Sequence, residues 1–164
     1  MDRRTLLKTG AALAATTALA APLVARAQAK TITFGGSIPM TGKAAETGLN
    51  VLRGYEAAVK YVNEEMGGVE IGGETSMLEL SLFDDASDPS RAATLIQRQV
   101  DEGVGFFLGS FGSSIVLPTC SITEAAGRLM VQAGGGSDQI FTQGRKRVFG
   151  IFPRASRQFV SSVD

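Results

Sequence analysis

The sequence predicts an open, mostly parallel α/β sheet with helices on both faces. Short apolar stretches with strand character alternate with amphipathic helical stretches, glycine or proline separates most of them, and polar residues follow the strand stretches. Crossovers of this length join parallel strands through right-handed connections, which place helices on both faces of a sheet. Ligands of such sheets bind beyond the carboxyl ends of the strands, so the loops after the strands are the candidate site.

The first strand and helix open the domain. Residues 31–37 (TITFGGS) are rich in β-forming residues and end before Pro39, which predicts a strand followed by a loop. Over 47–65, apolar residues recur at spacings of three and four, which predicts an amphipathic helix that Gly67 and Gly68 end.

A second strand and helix follow. Alternating leucines over 77–83 predict the strand. Asp88 is the expected N-cap of the helix because its carboxylate accepts backbone N–H bonds, and Pro89 suits the first helical position. Gly103 ends the helix, and the apolar stretch 105–109 (GFFLG) predicts a short buried third strand.

The last third of the chain repeats this alternation. Residues 113–126 predict a third helix, which Pro118 either kinks or delays at its start. Residues 129–132 and 148–152 predict the fourth and fifth strands. Between them, 134–141 predicts a turn with a short helix.

Residues 1–29 predict an export signal. A basic start precedes an apolar stretch over 11–24, and Ala27-Gln28-Ala29 gives the small-x-small pattern required for signal-peptidase cleavage. The apolar stretch is shorter than the roughly 20 residues that span a bilayer, which favours a cleaved signal over a membrane anchor. Arg3-Arg4 resembles the start of a twin-arginine signal, and Sec export is the alternative.

The composition excludes several kinds of chemistry. Without histidine the chain has no Ser-His-Asp triad and no histidine zinc ligand, and its one cysteine, Cys120, is expected to be a small core residue. Four of the 16 basic and one of the 16 acidic residues lie in 1–29, which leaves a net charge of −3 for the rest. We therefore predict no nucleic-acid partner, no metal, no cofactor and no enzyme activity.

The strand-end loops also carry motifs that resemble a known family. In chain order these motifs are Ser37-x-x-x-Thr41-Gly42, Gly48, Gly54-Tyr55, Asp84-Asp85-x-x-Asp88-Pro89, Gly109-x-x-x-Ser113-Ser114 and Gly134-Gly135-Gly136-Ser137. Their order and spacing are similar to those of leucine/isoleucine/valine-type periplasmic binding proteins of ABC transporters. The resemblance implies a type I periplasmic-binding fold, in which two α/β lobes joined by a hinge close on a small molecule, and an inner-membrane permease as partner.

The resemblance also implies a domain organisation. Residues 30–152 are expected to form the first lobe, and 153–164 the hinge and the start of a second lobe, so that the chain is the N-terminal part of a longer protein. Together with the export signal, this organisation predicts a periplasmic location.

Six residues form the predicted ligand site. Two serines stand where a strand ends and a helix begins, where free N–H groups and the helix dipole favour a carboxylate; a plain helix cap is the alternative. The resemblance implies that the hydroxyl of Ser113, the first of these serines, binds the ligand. The glycine run lets a ligand approach the backbone, or else is a flexible turn. The six residues are Ser113, Ser114, Gly135, Gly136, Ser137 and Thr47.

Two of these positions differ from what the resemblance implies for aliphatic amino-acid ligands. It implies threonine where Gly136 stands and an aromatic ring where Thr47 stands. It also implies a disulfide between the positions of Ser87 and Gly112, and this chain has neither cysteine. Glycine in place of threonine is expected to enlarge the pocket, which favours a bulkier ligand such as an aromatic acid.

An acidic cluster leaves two interpretations open. Asp84, Asp85 and Asp88 either bind a cation or act as strand-end and capping residues. The glycine and the final glutamate of an EF-hand loop are missing, which favours the structural role.

Three functions are compatible with the sequence. The favoured one is the solute-binding component of an ABC importer, which captures an amino acid or a related small carboxylate between two lobes. The alternatives are a ligand-sensing domain of a signalling receptor and an exported α/β enzyme whose catalytic half lies elsewhere.

Overall fold

A computed structural model describes residues 30–158, which form a six-stranded sheet flanked by helices. The strands are β1 (Lys30–Ile38), β2 (Val69–Ile71), β3 (Glu74–Asp84), β4 (Phe106–Leu108), β5 (Leu129–Gln132) and β6 (Val148–Gly150). The helices are α1 (Ala45–Glu64), α2 (Pro89–Asp101), α3 (Ser113–Ala125) and α4 (Gln139–Thr142), followed by a 3₁₀ turn (Ala155–Arg157). The predicted export signal and the end of the predicted hinge segment lie outside the described residues.

The sheet confirms the predicted α/β class and corrects the number of strands. Its order is β2-β3-β1-β4-β5-β6, and every neighbouring pair is parallel except β2 with β3. The prediction of five strands was wrong because it missed β2, which forms a hairpin with β3. Gly72 and Gly73 make the turn with φ of 62° and 82°, a conformation that glycine adopts without strain.

The direction of the crossovers places helices on both faces of the sheet. α1 leads from β1 to β3, whereas α2 and α3 lead in the opposite direction across the sheet, to β4 and β5. Right-handed crossovers therefore put α1 on one face and α2 with α3 on the other. None of the helices within residues 30–158 is long and apolar enough to cross a membrane.

The main core lies between the sheet and the α2–α3 face. Cys120 is fully buried there, as predicted, among apolar side chains of both helices and of the central strands. Pro118 lies inside α3 and does not interrupt it. The buried cluster consists of Ile96, Phe107, Val116, Cys120, Met130, Ile140 and Val148.

The strand order places a crevice beside β1. The chain leaves β1 toward β3 on one side, and after β3 it returns past β1 to β4 on the other. The loops that follow β1 and β4 therefore diverge at the carboxyl edge of the sheet, which is where ligands bind in open α/β sheets.

Candidate functional site

The start of α3 offers unpaired backbone donors at this crevice. Gly112 is the N-cap with φ of 96°, and no side chain caps the helix. Within residues 30–158, no acceptor bonds the backbone N–H of Ser113 or of Ser114. Ser113 is half-buried and Ser114 is exposed. Two adjacent free N–H groups at the positive end of a helix are suited to a carboxylate.

A second predicted serine lies against the first. The backbone N–H of Ser137 donates to Ser113 Oγ at 3.0 Å, so the loops after β4 and β5 meet at this point. The Gly112 N–H also donates to the Gly134 carbonyl at 3.0 Å, and Phe111 forms a bridge with Gly134. The structure therefore brings Ser113, Ser114 and Ser137 together.

Gly135 faces the core rather than the crevice. The buried side chain of Gln132 accepts from the Gly135 N–H at 2.7 Å and donates to its carbonyl at 3.0 Å. A Cβ on Gly135 would lie 2.5 Å from Ile140 Cδ1. Both backbone groups of Gly135 are thus already paired, and close packing accounts for the glycine.

Gly136 faces the segment that follows β6. A Cβ on Gly136 would lie 3.4 Å from Phe152 Cε1 and 3.4 Å from Gln158 Nε2. The Gly136 carbonyl accepts from the Ala155 N–H at 2.7 Å. The space in the side-chain direction of residue 136 is therefore bordered by an aromatic ring and an amide.

Thr47 is not hydrogen-bonded to the other predicted residues within residues 30–158. It lies in the first turn of α1 and is exposed. Its neighbour Gly48 is buried, and a Cβ there would collide with the Pro39 carbonyl oxygen, so the start of α1 can lie this close to Pro39 only with glycine at this position.

A buried carboxylate that sequence reasoning did not connect to the site joins three strand ends. Asp85 is fully buried, and its Oδ2 accepts from Ser37 Oγ at 3.0 Å and from Ser110 Oγ at 2.8 Å. Its Oδ1 accepts from the Ser87 N–H at 3.0 Å. Because β3, β1 and β4 are neighbours, Asp85 links the ends of all three and fixes the loop that leads into α3.

The other two aspartates have structural roles, as the favoured interpretation expected. Asp88 accepts from the Arg91 N–H at 2.8 Å and caps α2. Partial burial alone raises the pKa of Asp84, but hydrogen bonds from the Thr41 hydroxyl and from nearby backbone N–H groups outweigh it and hold the pKa below its usual value. In the described part of the chain, no three acidic or cysteine side chains converge as a metal site.

Tyr55 ties α1 to the same crevice. Its hydroxyl donates to the carbonyl of Gly109, just after β4, at 2.8 Å. Burial raises the pKa of Tyr55 to about 12, because the ionised form is poorly solvated there. The tyrosine of the motif Gly54-Tyr55 therefore has a structural role, since it bonds α1 to the loop after β4.

Comparison with known proteins decides the family. The family model described as "Periplasmic binding protein" matches residues 31–163. The chain belongs to this family. It is 32% identical over 142 residues to the Leu/Ile/Val-binding protein homolog 1 of Brucella abortus, which covers 80% of this chain. The resemblance inferred from the loop motifs is therefore confirmed, and the family is one of binding proteins.

Solved structures agree with this assignment. The leucine-binding protein LivK of Thermotoga maritima matches with a TM-score of 0.62 and 29% identity, over 74% of this chain and 33% of that one. LivJ of Streptococcus pneumoniae, solved with isoleucine, matches in fold with a TM-score of 0.67 and 24% identity, over 76% of this chain and 34% of that one. The chain also spans only 37% of the length of the Brucella relative.

Proposed function

We propose that this chain forms the first lobe of the solute-binding component of an ABC importer and captures an amino acid or a related small carboxylate. The observation that carries the proposal is the pair of free N–H groups at Ser113 and Ser114, beside the Ser113–Ser137 contact. Two donors in this geometry bind one carboxylate without requiring a positively charged side chain.

The remainder of the proposal follows from the family and from the chain's organisation. Residues 1–29 act as the export signal, by the twin-arginine or the Sec route, and deliver the protein to the periplasm. The segment from 153 leads toward a second lobe that covers the ligand, and the closed form docks on an inner-membrane permease. The leucine-binding function of the Thermotoga protein supports an amino-acid-like ligand.

Hinge closure supplies the mechanism. Open and closed forms exchange, and a ligand that contacts both lobes shifts the population to the closed form. Most of the binding free energy then requires the second lobe, so this chain alone is expected to bind in the millimolar range. A dissociation constant of about 1 mM corresponds to a binding free energy of about −4 kcal/mol.

An amide-resolved NMR titration of the chain tests the proposal. Leucine and 4-hydroxybenzoate serve as carboxylate probes, and glucose serves as the probe without a carboxylate. We expect at least one carboxylate to shift the backbone amides of Ser113, Ser114 and Ser137 in a saturable way, and glucose to leave them unchanged. Equal shifts with glucose, or no shift with either carboxylate, would contradict the proposal.

A matched pair of serine variants sharpens the titration. Ser113→Ala removes the hydroxyl that accepts from Ser137, and we expect about threefold to tenfold weaker carboxylate binding. Ser121→Ala removes a hydroxyl two turns further along α3, where it bonds the Leu117 carbonyl, and should leave the affinity unchanged. Equal losses from both variants would show that the effect is general to α3 rather than local to its start.

A further inference from the structure

The segment after β6 presents an aromatic ring beside the candidate site. Phe152 Cε1 lies 3.4 Å from the Cβ position of Gly136, and the next residue, Ser137, donates its N–H to Ser113 Oγ. Phe152 therefore borders Gly136, the residue that precedes Ser137, and Ser137 forms the contact between the loops after β4 and β5. Phe152 is nevertheless 44% exposed.

Hydrogen bonds fix the backbone that carries this ring. The Ala155 N–H donates to the Gly136 carbonyl at 2.7 Å, and Ser156 Oγ donates to Asp138 Oδ1 at 2.7 Å. Because both bonds end on the loop after β5, the segment and that loop form one unit. The backbone that carries the Phe152 ring is thus attached to the loop after β5 on its C-terminal side.

The surroundings of the ring are aromatic and positively charged. Phe152 lines a groove of about 450 Å³ together with two more aromatic rings and two guanidinium groups, and no carboxylate lines it. The guanidinium of Arg154 lies 5.9 Å from the ring centroid of Phe141. A ligand beside Phe152 therefore meets a flat apolar surface next to positive charge. The rings and cations are Phe141, Phe149, Phe152, Arg154 and Arg157.

We propose that Phe152 and Gly136 together set the ligand specificity of this lobe, and that they select an aromatic carboxylate over a branched aliphatic amino acid. The absent side chain at 136 leaves room for the ring edge, and the ring face stacks on a flat ligand. The arginines add attraction for a negative charge. This inference rests on the proposed carboxylate-binding function and names the ligand class within it.

The inference is tested by measuring how tightly the chain binds 4-hydroxybenzoate and leucine. NMR titrations followed at the backbone amides of Ser113, Ser114 and Ser137 give both affinities. We expect the unaltered chain to bind 4-hydroxybenzoate at least fivefold more tightly than leucine. Phe152→Leu keeps an apolar side chain but removes the ring, and should reduce that ratio about fivefold to tenfold. Gly136→Thr places a branched side chain against Phe152 and Gln158, and should reduce the ratio in the same direction.

Phe106→Leu is the matched control, because Phe106 is exposed to nearly the same extent as Phe152, at 43%, but lies at the start of β4 and does not line the groove. The ratio should stay within twofold for this variant. Leucine binding as tightly as 4-hydroxybenzoate at the same amides, or a ratio that Phe152→Leu leaves unchanged, would overturn this inference and leave the proposed function standing. A failure of both ligands to shift those amides would overturn both.

Discussion

The two halves of the sheet's carboxyl edge differ in whether their polar groups have partners within the protein. In the closed half, formed by the loops 39–44 and 84–88, side chains of two aspartates pair with hydroxyls and backbone N–H groups of neighbouring strand ends. In the open half, formed by 109–114, 133–138 and 151–158, backbone donors at the start of α3 have no partner within the described residues, and an aromatic ring stays exposed.

This difference supports the proposal that the closed half is a scaffold and that the open half is the binding surface. Buried polar groups that pair with one another stabilise one arrangement of the strand ends and offer nothing to a ligand. Donors that lack a protein partner are free to bind one. The closed half therefore positions the open half, chiefly through the bond from Ser110 to Asp85, two residues before the cap of α3.

The largest expected effect comes from removing the carboxylate at the centre of the closed half. Asp85→Ala leaves two buried hydroxyls and a backbone N–H without their acceptor, and we expect a loss of about 3 to 5 kcal/mol in the free energy of unfolding. Urea denaturation followed by circular dichroism measures it. Asp88→Ala, which removes only an exposed helix cap, should cost about 1 kcal/mol. Equal costs would mean that the closed half is not the scaffold.

A smaller effect distinguishes two adjacent glycines of the open half. Gly135→Ala forces a methyl group against Ile140 and Val116, and we expect a loss of about 2 kcal/mol. Gly136→Ala meets its neighbours at ordinary contact distance and should change stability by less than about 0.5 kcal/mol. Thermal unfolding of the two variants compares them. A larger loss at 136 than at 135 would contradict the assignment of Gly135 to the core and of Gly136 to the segment after β6.

The smallest effect is the acid sensitivity of the closed half. The pKa of Asp84 is lowered in the folded chain, so its ionised form stabilises the fold above the unfolded pKa of about 3.9, and this contribution is lost as the pH falls through the folded pKa. Asp84→Asn should therefore lose less stability between pH 6 and pH 3 than the unaltered chain does. Glu56→Gln, an exposed charge change on α1, serves as the control. Identical pH profiles for Asp84→Asn and the unaltered chain would contradict this role.

The elements of the fold were largely predictable because their signals are local. Helical periodicity found α1, and Asp88 with Pro89 marked the start of α2 as the structure has it. The missed strand β2 has only three residues, too few for a pattern. The pair Gly72-Gly73 between two β-rich stretches was the available signal, since two glycines favour a tight hairpin turn.

The internal bonds of the site were not predictable, because they join residues far apart in the sequence. Asp85 and Ser37 are separated by 48 positions, and Ser137 and Ser113 by 24. Nothing local in Gln132 indicates that its amide pairs with the Gly135 backbone. The sequence could therefore identify serines and glycines at strand ends, but not which of them pair with protein groups and which remain free for a ligand.

The most direct test is a crystal structure of the chain soaked with a carboxylate probe, leucine or 4-hydroxybenzoate, at a saturating concentration. The account predicts carboxylate oxygens within about 3.2 Å of the Ser113 and Ser114 backbone nitrogens, with the closed half unchanged. A probe whose carboxylate instead binds at the closed half, or that leaves both nitrogens without a partner, would contradict it.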